Sequence, residues 1–388
     1  MQNLIASTIQ FPPGSGIAGF VYWLLGGIYG GVGSYALAVI LFTLTLRVFM
    51  LPLDFGNRYF QRKMNSKMAD LRPQLNMLRA QYGNDQMAMY RAQQQLYKKA
   101  GLNQGGSCFF MITSLVLTAV LFIFVFQALQ QIGNYNLNLQ FQELQSIHQE
   151  FTTPGTPEYD LGLDSEEFQE AILTTFEQTR QGFLWVSNIF RPDTWTNSVL
   201  TFDQFYRATR NVSGSVFAEE GVTRGQIEDQ YAVIFDVIRP EYGGWNGLLL
   251  LVVLAGVVTY FSAVLNAKLL KKNKPVTDNT EEAKPLYSMR ETKFQENVNN
   301  QQMPQMDPEM MGKVLKYVMP AVMIMVTLNA TAAMAIYIIV GSIFMTATMW
   351  AMNFLIDIII KRQDARKKDQ EVDPTIINPH AKYFKKKR

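Results

Sequence analysis

Arg47 is the residue whose placement could do chemistry. It lies within Tyr35–Leu53, YALAVILFTLTLRVFMLPL, a run of 19 residues with no other charge. A helix needs roughly 20 apolar residues to cross about 30 Å of hydrocarbon. Six residues separate Arg47 from Leu53, so roughly 9 Å of helix lies between it and that end. A guanidinium at that depth costs about 2.5–3.5 kcal/mol on insertion scales, and ionisable groups so placed usually face a polar cavity and carry function. Two roles stand open: Arg47 holds a wet, positive pocket, or its stem snorkels to the nearer interface. A second charge, Asp357, borders the last apolar window and reads as an interfacial carboxylate beside Lys361.

Other chemistries lack their residues. There is no GxxxxGK[ST] phosphate loop, no HExxH or CxxC pattern and no G-x-S-x-G elbow. His148 and His380 lie far apart, and the single cysteine, Cys108, excludes an intrachain disulfide. No pair of acidic residues falls inside an apolar window, as a coupled transporter would need. These absences predict a protein that is not an enzyme, uses no cofactor or metal, and works as a passive membrane device around one buried cation.

Hydrophobic residues make up 48% of the 388 residues and charge is clustered, the pattern of a polytopic membrane protein rather than a soluble core. The predicted fold is all-α: a five-transmembrane-helix bundle with a cytoplasmic helical hairpin and an acidic extracytoplasmic insertion. The spans are placed at 35–53, 107–129, 246–267, 314–332 and 333–356. The last two come from one charge-free run, Tyr317–Ile356, which is 40 residues long and punctuated by Asn329, Ala330 and Thr331. A single helix of that length would reach about 60 Å, twice the hydrocarbon thickness.

Charge sets the orientation. Residues 54–106 carry nine basic and three acidic residues, a net charge of +6, whereas 130–245 carry six and 17, a net charge of −11. Lys268–Lys316 is +2, and the tail from Lys361 is +6. The N-terminus is therefore placed outside and the C-terminus in the cytoplasm. Residues 1–34 form an external segment whose Ile17–Tyr29 run reads as an interfacial helix.

The first cytoplasmic loop reads as a helical hairpin. One helix covers Asn57–Gln81, with a kink or restarted turn at Pro73. A turn at Tyr82-Gly83-Asn84-Asp85 follows, then a second helix to about Ala100, ended by Gly101. The hairpin carries Met64, Met68, Met77, Met87 and Met89, either an adaptable binding surface or ordinary packing. In the acidic segment a helix is expected around Ser165–Thr179, with Asp164 as its cap. Residues 268–313 read as a flexible linker, and 357–388 as a basic tail ending in KYFKKKR. Such a tail attracts ribosomal RNA or anionic lipid, or is a stop-transfer anchor that obeys the charge rule.

These residues resemble the YidC/Oxa-type membrane protein insertases, in the form without a large domain between the first two spans, which resembles that of Gram-positive bacteria. Thr43, Arg47, Met50, Pro52 and Leu53 are similar to the family's T-x-x-x-R-x-x-M-x-P-L run. Lys63–Gln74, KMNSKMADLRPQ, is similar to its next segment. Tyr82, Asp85, Leu96, Tyr97, Lys98, Asn103 and Cys108 continue the match, as do Phe183-Leu184-Trp185-Val186, Pro192-Asp193, Met319-Pro320 and Tyr337. Ser114 stands where the family commonly has glutamine, and Thr331-Ala332-Ala333 where it has a proline-glycine turn.

The resemblance implies an insertase and chaperone for nascent membrane proteins, working without nucleotide hydrolysis through a groove open to cytoplasm and lipid. Arg47, Thr43, Thr113, Ser114 and Thr346 are the candidate groove residues, although hydroxyls in such helices also bond back to their own backbone. Met64, Met68, Met77, Tyr82, Met87 and Met89 would receive the chain. Lys382, Lys385, Lys386, Lys387 and Arg388 would meet ribosome or lipid. The implied partners are nascent membrane proteins, the lipid bilayer, the ribosome and a Sec translocon, with no DNA; the implied place is the bacterial cell membrane. Two other functions remain: a channel or small-solute transporter, and a scaffold that assembles proteins already inserted.

Overall fold

The computed structural model describes residues 9–82, 86–100, 104–272 and 308–371. The expected turn around Gly83, the stop at Gly101, the linker from 273 to 307 and the tail from 372 fall outside the described residues. The described residues fold into helices with no strand; two isolated bridges, Phe183 with Val186 and Asn197 with Trp245, are the extended pairings. The helices are α1 (Gly16–Val32), α2 (Tyr35–Tyr82), α3 (Gln86–Lys99), α4 (Gln104–Thr152), α5 (Glu166–Thr179), α6 (Phe202–Thr209), α7 (Arg224–Tyr242), α8 (Leu250–Lys272), α9 (Pro308–Asn329) and α10 (Ala332–Glu371).

Three of them hold segments long and apolar enough to cross a membrane: Tyr35–Lys63, Ile112–Thr152 and Ala332–Ile360. Shorter apolar segments lie at Gly16–Val32, Leu250–Asn266 and Lys316–Asn329. The break between α9 and α10 falls at Ala330 and Thr331, in the middle of the 40-residue charge-free run.

The helices are longer than their apolar windows. α2 holds 48 residues and runs unbroken through Pro52 and Pro73. No restarted turn interrupts it at Pro73. Leu71 and Leu75 pack with Tyr97 and Leu96 of α3 on both sides of that proline, so tertiary packing overrides local propensity. α4 likewise continues to Thr152, far beyond the 107–129 window.

The chain divides into two compact units. The first holds the described residues of Met1–Phe49, Leu117–Ala267 and Tyr287–Phe344. Its main core joins Val21, Leu25 and Tyr29 of α1 to Tyr35, Val39, Phe42 and Leu46 of α2. Leu129 and Ile132 of α4, Ala255 of α8 and Ala332–Ile339 of α10 complete it. α1 buries one face and exposes Ile17, Phe20 and Trp23.

A second core in the same unit is built on the far half of α4. Phe141, Leu144 and Phe151 meet Phe168, Ile172 and Phe176 of α5. Ile227, Tyr231, Ile234, Phe235 and Ile238 of α7 close it, spaced as one helical face. Tyr231 and Phe235 stack with ring centres 4.0 Å apart. The acidic segment is thus a folded helical domain, which its charge alone hides. Its helices are capped: Ser165, rather than the expected Asp164, accepts from the Phe168 amide, and Thr201 and Thr223 form capping boxes with Gln204 and Gln226. A serine hydroxyl reaches the third amide from the cap position itself, which Asp164, one residue further out, does not occupy.

The second unit holds the described residues of Met50–Val116, Lys268–Leu286 and Met345–Arg388. It contains α3, the later part of α2, and Met349, Met352 and Ile356 of α10, all three buried. Arg62 and Asp357 form an ion pair within it. The interfacial carboxylate therefore meets an arginine on α2.

Candidate functional site

Arg47 lies at the edge of the buried face of α2. Phe42, Thr43 and Leu46 are buried, Val48 and Phe49 are exposed, and Arg47 is between the two classes. Its guanidinium rests on α10. A Cβ at Gly341 would lie 2.9 Å from Arg47 Nη2 and 3.2 Å from Nε. Real Cβ atoms essentially never come within 3.0 Å of another heavy atom, so a side chain at 341 would make the guanidinium shift from this position. One turn earlier on α10 is Tyr337, buried and close enough to interact electrostatically with Arg47.

Arg47 Nε is buried and has no hydrogen-bond partner among the described residues. Such an N–H costs about 1–3 kcal/mol if nothing meets it. Arg191 also keeps its buried Nη1 unpartnered, but it belongs to the loop before α6, where burial lowers its pKa. Tyr35 Oη, at the start of the same helix, is likewise buried without a partner among the described residues; Arg47 is the charged group so placed in the apolar run of α2.

The other candidate residues are placed as follows. Thr43 is fully buried and donates its hydroxyl to Val39 O at 2.6 Å. Its proton is thus spent on its own helix, while oxygen lone pairs remain. Thr43 and Arg47 share a face of α2 in the first unit. Thr113 and Ser114 lie on α4 and Thr346 on α10, all in the second unit. Ser114 is buried; Thr113 and Thr346 are half-buried. Met77 and Met87 are exposed, Tyr82 and Met89 half-buried. Met64 and Met68 lie on α2. Lys382, Lys385, Lys386, Lys387 and Arg388 fall outside the described residues.

Gly341 is the site residue that sequence reasoning missed. The signal was available: a glycine inside an unbroken apolar helix costs about 1 kcal/mol relative to alanine, so it often marks close approach of another group.

A second arrangement fixes the start of α8. The Asp193 side chain, 1% exposed, accepts from the amides of Leu248 and Leu249 through Oδ1. Through Oδ2 it accepts from the Leu251 amide and the Trp185 indole. A carboxylate at a helix N-terminus satisfies free amides and the positive end of the dipole together. A Cβ at Gly247 would fall 1.8 Å from Asp193 Oδ1, so glycine is required there. Asn246, placed by composition in the third span, is instead a buried loop residue. It accepts from the Asn188 amide and donates to the carbonyls of Asn188 and Pro192. α8 therefore begins at Leu250 rather than 246. The Ala332 amide donates to Arg191 O, which ties the start of α10 to the same loop.

Three helices with segments long and apolar enough to cross a membrane place the chain in the class of membrane proteins. The sequence matches the model of the 60Kd inner membrane protein family over residues 27–361, and the chain belongs to this family, the YidC/Oxa type that its first apolar run resembles. It is similar to the membrane protein insertase YidC of Shewanella baltica (strain OS195), 38% identical over 88 residues, which cover 23% of this chain and 16% of the relative. The protein of the same name from Shewanella pealeana (strain ATCC 700345 / ANG-SQ1) is 36% identical over 97 residues, covering 23% of this chain and 17% of the relative. The matches thus span about one sixth of the length of these curated relatives.

Proposed function

We propose that this chain is a membrane protein insertase and chaperone that moves transmembrane segments of nascent proteins from the cytoplasm into the bilayer. The observation that carries the reading is Arg47: a cation inside an apolar helix, held against Gly341 with a buried N–H left open. A positive charge in a partly dry site attracts an acidic or polar segment far more strongly than the same charge in water. The external tail of an incoming chain is drawn there and its desolvation cost falls. The client's apolar segment then partitions into lipid, at about 0.8 kcal/mol per buried CH₂, which needs no nucleotide.

In this reading five spans cross the bacterial cell membrane, with the N-terminus outside and the C-terminus inside. The spans lie in α2, α4, α8, α9 and α10, and α1 rests at the outer interface. The later part of α2 and α3 form the cytoplasmic hairpin, a pairing supported by the packing of Leu71 against Tyr97. The exposed Met77 and Met87 suit reception of an apolar chain. Thr43, on the same face of α2 as Arg47, supplies polarity to the pocket. The basic tail holds the ribosome or anionic lipid, and a Sec translocon is a further partner.

The experiment is insertion by reconstituted protein, comparing Arg47→Ala and Arg47→Lys on a client with an acidic external tail. The expected result is loss of insertion with alanine and partial rescue with lysine, because charge carries the effect and the guanidinium fork refines it. Unchanged insertion by the alanine form would overturn the pocket.

A further inference from the structure

The loops at the start of α8 expose an apolar surface that the insertase reading does not use. Trp195 and Trp245 are 60% and 63% exposed, and their ring centres are 6.3 Å apart. Leu184, 73% exposed, sits at the tip of a tight turn closed by two backbone hydrogen bonds between Phe183 and Val186. Leu248 and Leu250 are exposed beside them in sequence.

These side chains are held by rigid backbone. The Asn246 amide donates to Thr196 O, the Gly247 amide to Thr194 O and the Ser198 amide to Gly244 O, so the two tryptophan-bearing segments are laced together. Trp185, next to Leu184, donates its indole N–H to Asp193, the same carboxylate that caps α8. Leu184 has φ of 55°, the left-handed region where glycine or asparagine is the easy choice. Leu184 holds this conformation with its side chain exposed.

What covers this surface follows from its continuity with α8. Val253, Leu254 and Val257, one to two turns into α8, are exposed apolar residues on a helix with no charge before Lys268. The apolar surface runs from the helix into the loops, and there it changes from aliphatic side chains to paired indoles. Indole, with an apolar body and one N–H, is the side chain that prefers the headgroup level of a bilayer. Asp193 and Arg191 in these loops are both buried, and Arg180, ahead of the Leu184 turn, is paired with Glu177. Exposed large apolar side chains held on rigid backbone mark interaction surfaces.

We propose that Leu184, Trp195, Trp245 and Leu248 form a preorganised anchor seated in the outer-leaflet headgroup region of the lipid bilayer. The anchor sets the depth of α8 and docks the acidic helical domain on the membrane surface. This rests on the reading of α8 as a membrane span, and the test separates the two.

Single cysteines at Leu184, Trp195 and Val257 are introduced in a Cys108→Ser background and labelled with an environment-sensitive nitrobenzoxadiazole dye. Leu248→Cys replaces Trp195→Cys if that variant does not fold. The proteins are placed in vesicles of phosphatidylethanolamine and phosphatidylglycerol carrying a quencher either at the headgroup or deep on the acyl chain. The expected result is loss of emission at 184 and 195 with the headgroup quencher, and at 257 with the deep one. Emission at 184 and 195 that only aqueous iodide quenches, with 257 still deep, would overturn the anchor and leave the span intact. Emission at 257 that only iodide quenches would overturn the span and the anchor with it.

Discussion

Two ionic groups in the same unit, Asp193 buried and Arg47 half-buried with its Nε covered, are treated in opposite ways. Asp193 is saturated: three backbone amides and an indole N–H point at its two oxygens. Arg47 is left open: its Nε has no partner, and its guanidinium lies on the bare backbone of Gly341. A saturated charge is committed to the fold, because removing it strands every donor that it satisfied. An open charge contributes little to the fold and keeps its field for whatever enters. On the proposed reading, Asp193 serves architecture and Arg47 is kept for the client.

The largest expected effect on stability is therefore at Asp193. Asp193→Ala leaves the α8 amides and the Trp185 indole without their acceptor and should cost about 3 kcal/mol. A lowered midpoint in detergent-denaturation titrations would register it, and a midpoint equal to that of the unaltered protein would break the comparison. Gly341→Leu comes next. Filling the space under the guanidinium forces Arg47 aside, at about 1–3 kcal/mol for an overpacked site. Insertion of acidic-tailed clients should fall towards the level of Arg47→Ala, while neutral-tailed clients change less. Equal loss for both clients would mean that Gly341 serves packing alone.

The smallest effect is at the surface of the external domain. The hydrogen bond from Arg180 holds the Glu177 carboxyl below its usual range, although partial burial opposes this. Partial burial, with the hydrogen bond to Glu177, pushes the nearby Tyr242 phenol up to about 12. The folded pKa of Glu177 is depressed, so its stabilisation is present above the unfolded carboxylate value and is lost as pH falls through the folded one. The pair is largely exposed, so Glu177→Gln should cost well under about 1 kcal/mol at neutral pH. Thermal melts of the two proteins should converge in acid, and a difference that grows on acidification would contradict this sign.

The sequence made the membrane helices visible because hydropathy is local: charge-free windows need no knowledge of neighbours. It also isolated Arg47, since a lone arginine among leucines is conspicuous by type. It did not reveal Gly341, whose meaning depends on a side chain from another helix. Nor did it place the start of α8, because Asn246 looks apolar by its surroundings and is defined by hydrogen bonds to Asn188 and Pro192. The reach of α2 through Pro73 was hidden for the same reason: Leu71 on Tyr97 outweighs the break that proline alone suggests. The folded nature of the acidic domain lay in the spacing of Ile227, Tyr231, Ile234 and Ile238, which its net charge masked.

The most direct test of the central claim measures Arg47→Ala in two ways on one preparation: its unfolding midpoint, and its insertion of paired clients with acidic and neutral external tails. The account predicts a midpoint unchanged or raised, since an open buried N–H is removed, together with selective loss of the acidic-tailed client. A lowered midpoint with equal loss of both clients would show that Arg47, like Asp193, is committed to the fold, and would contradict the account.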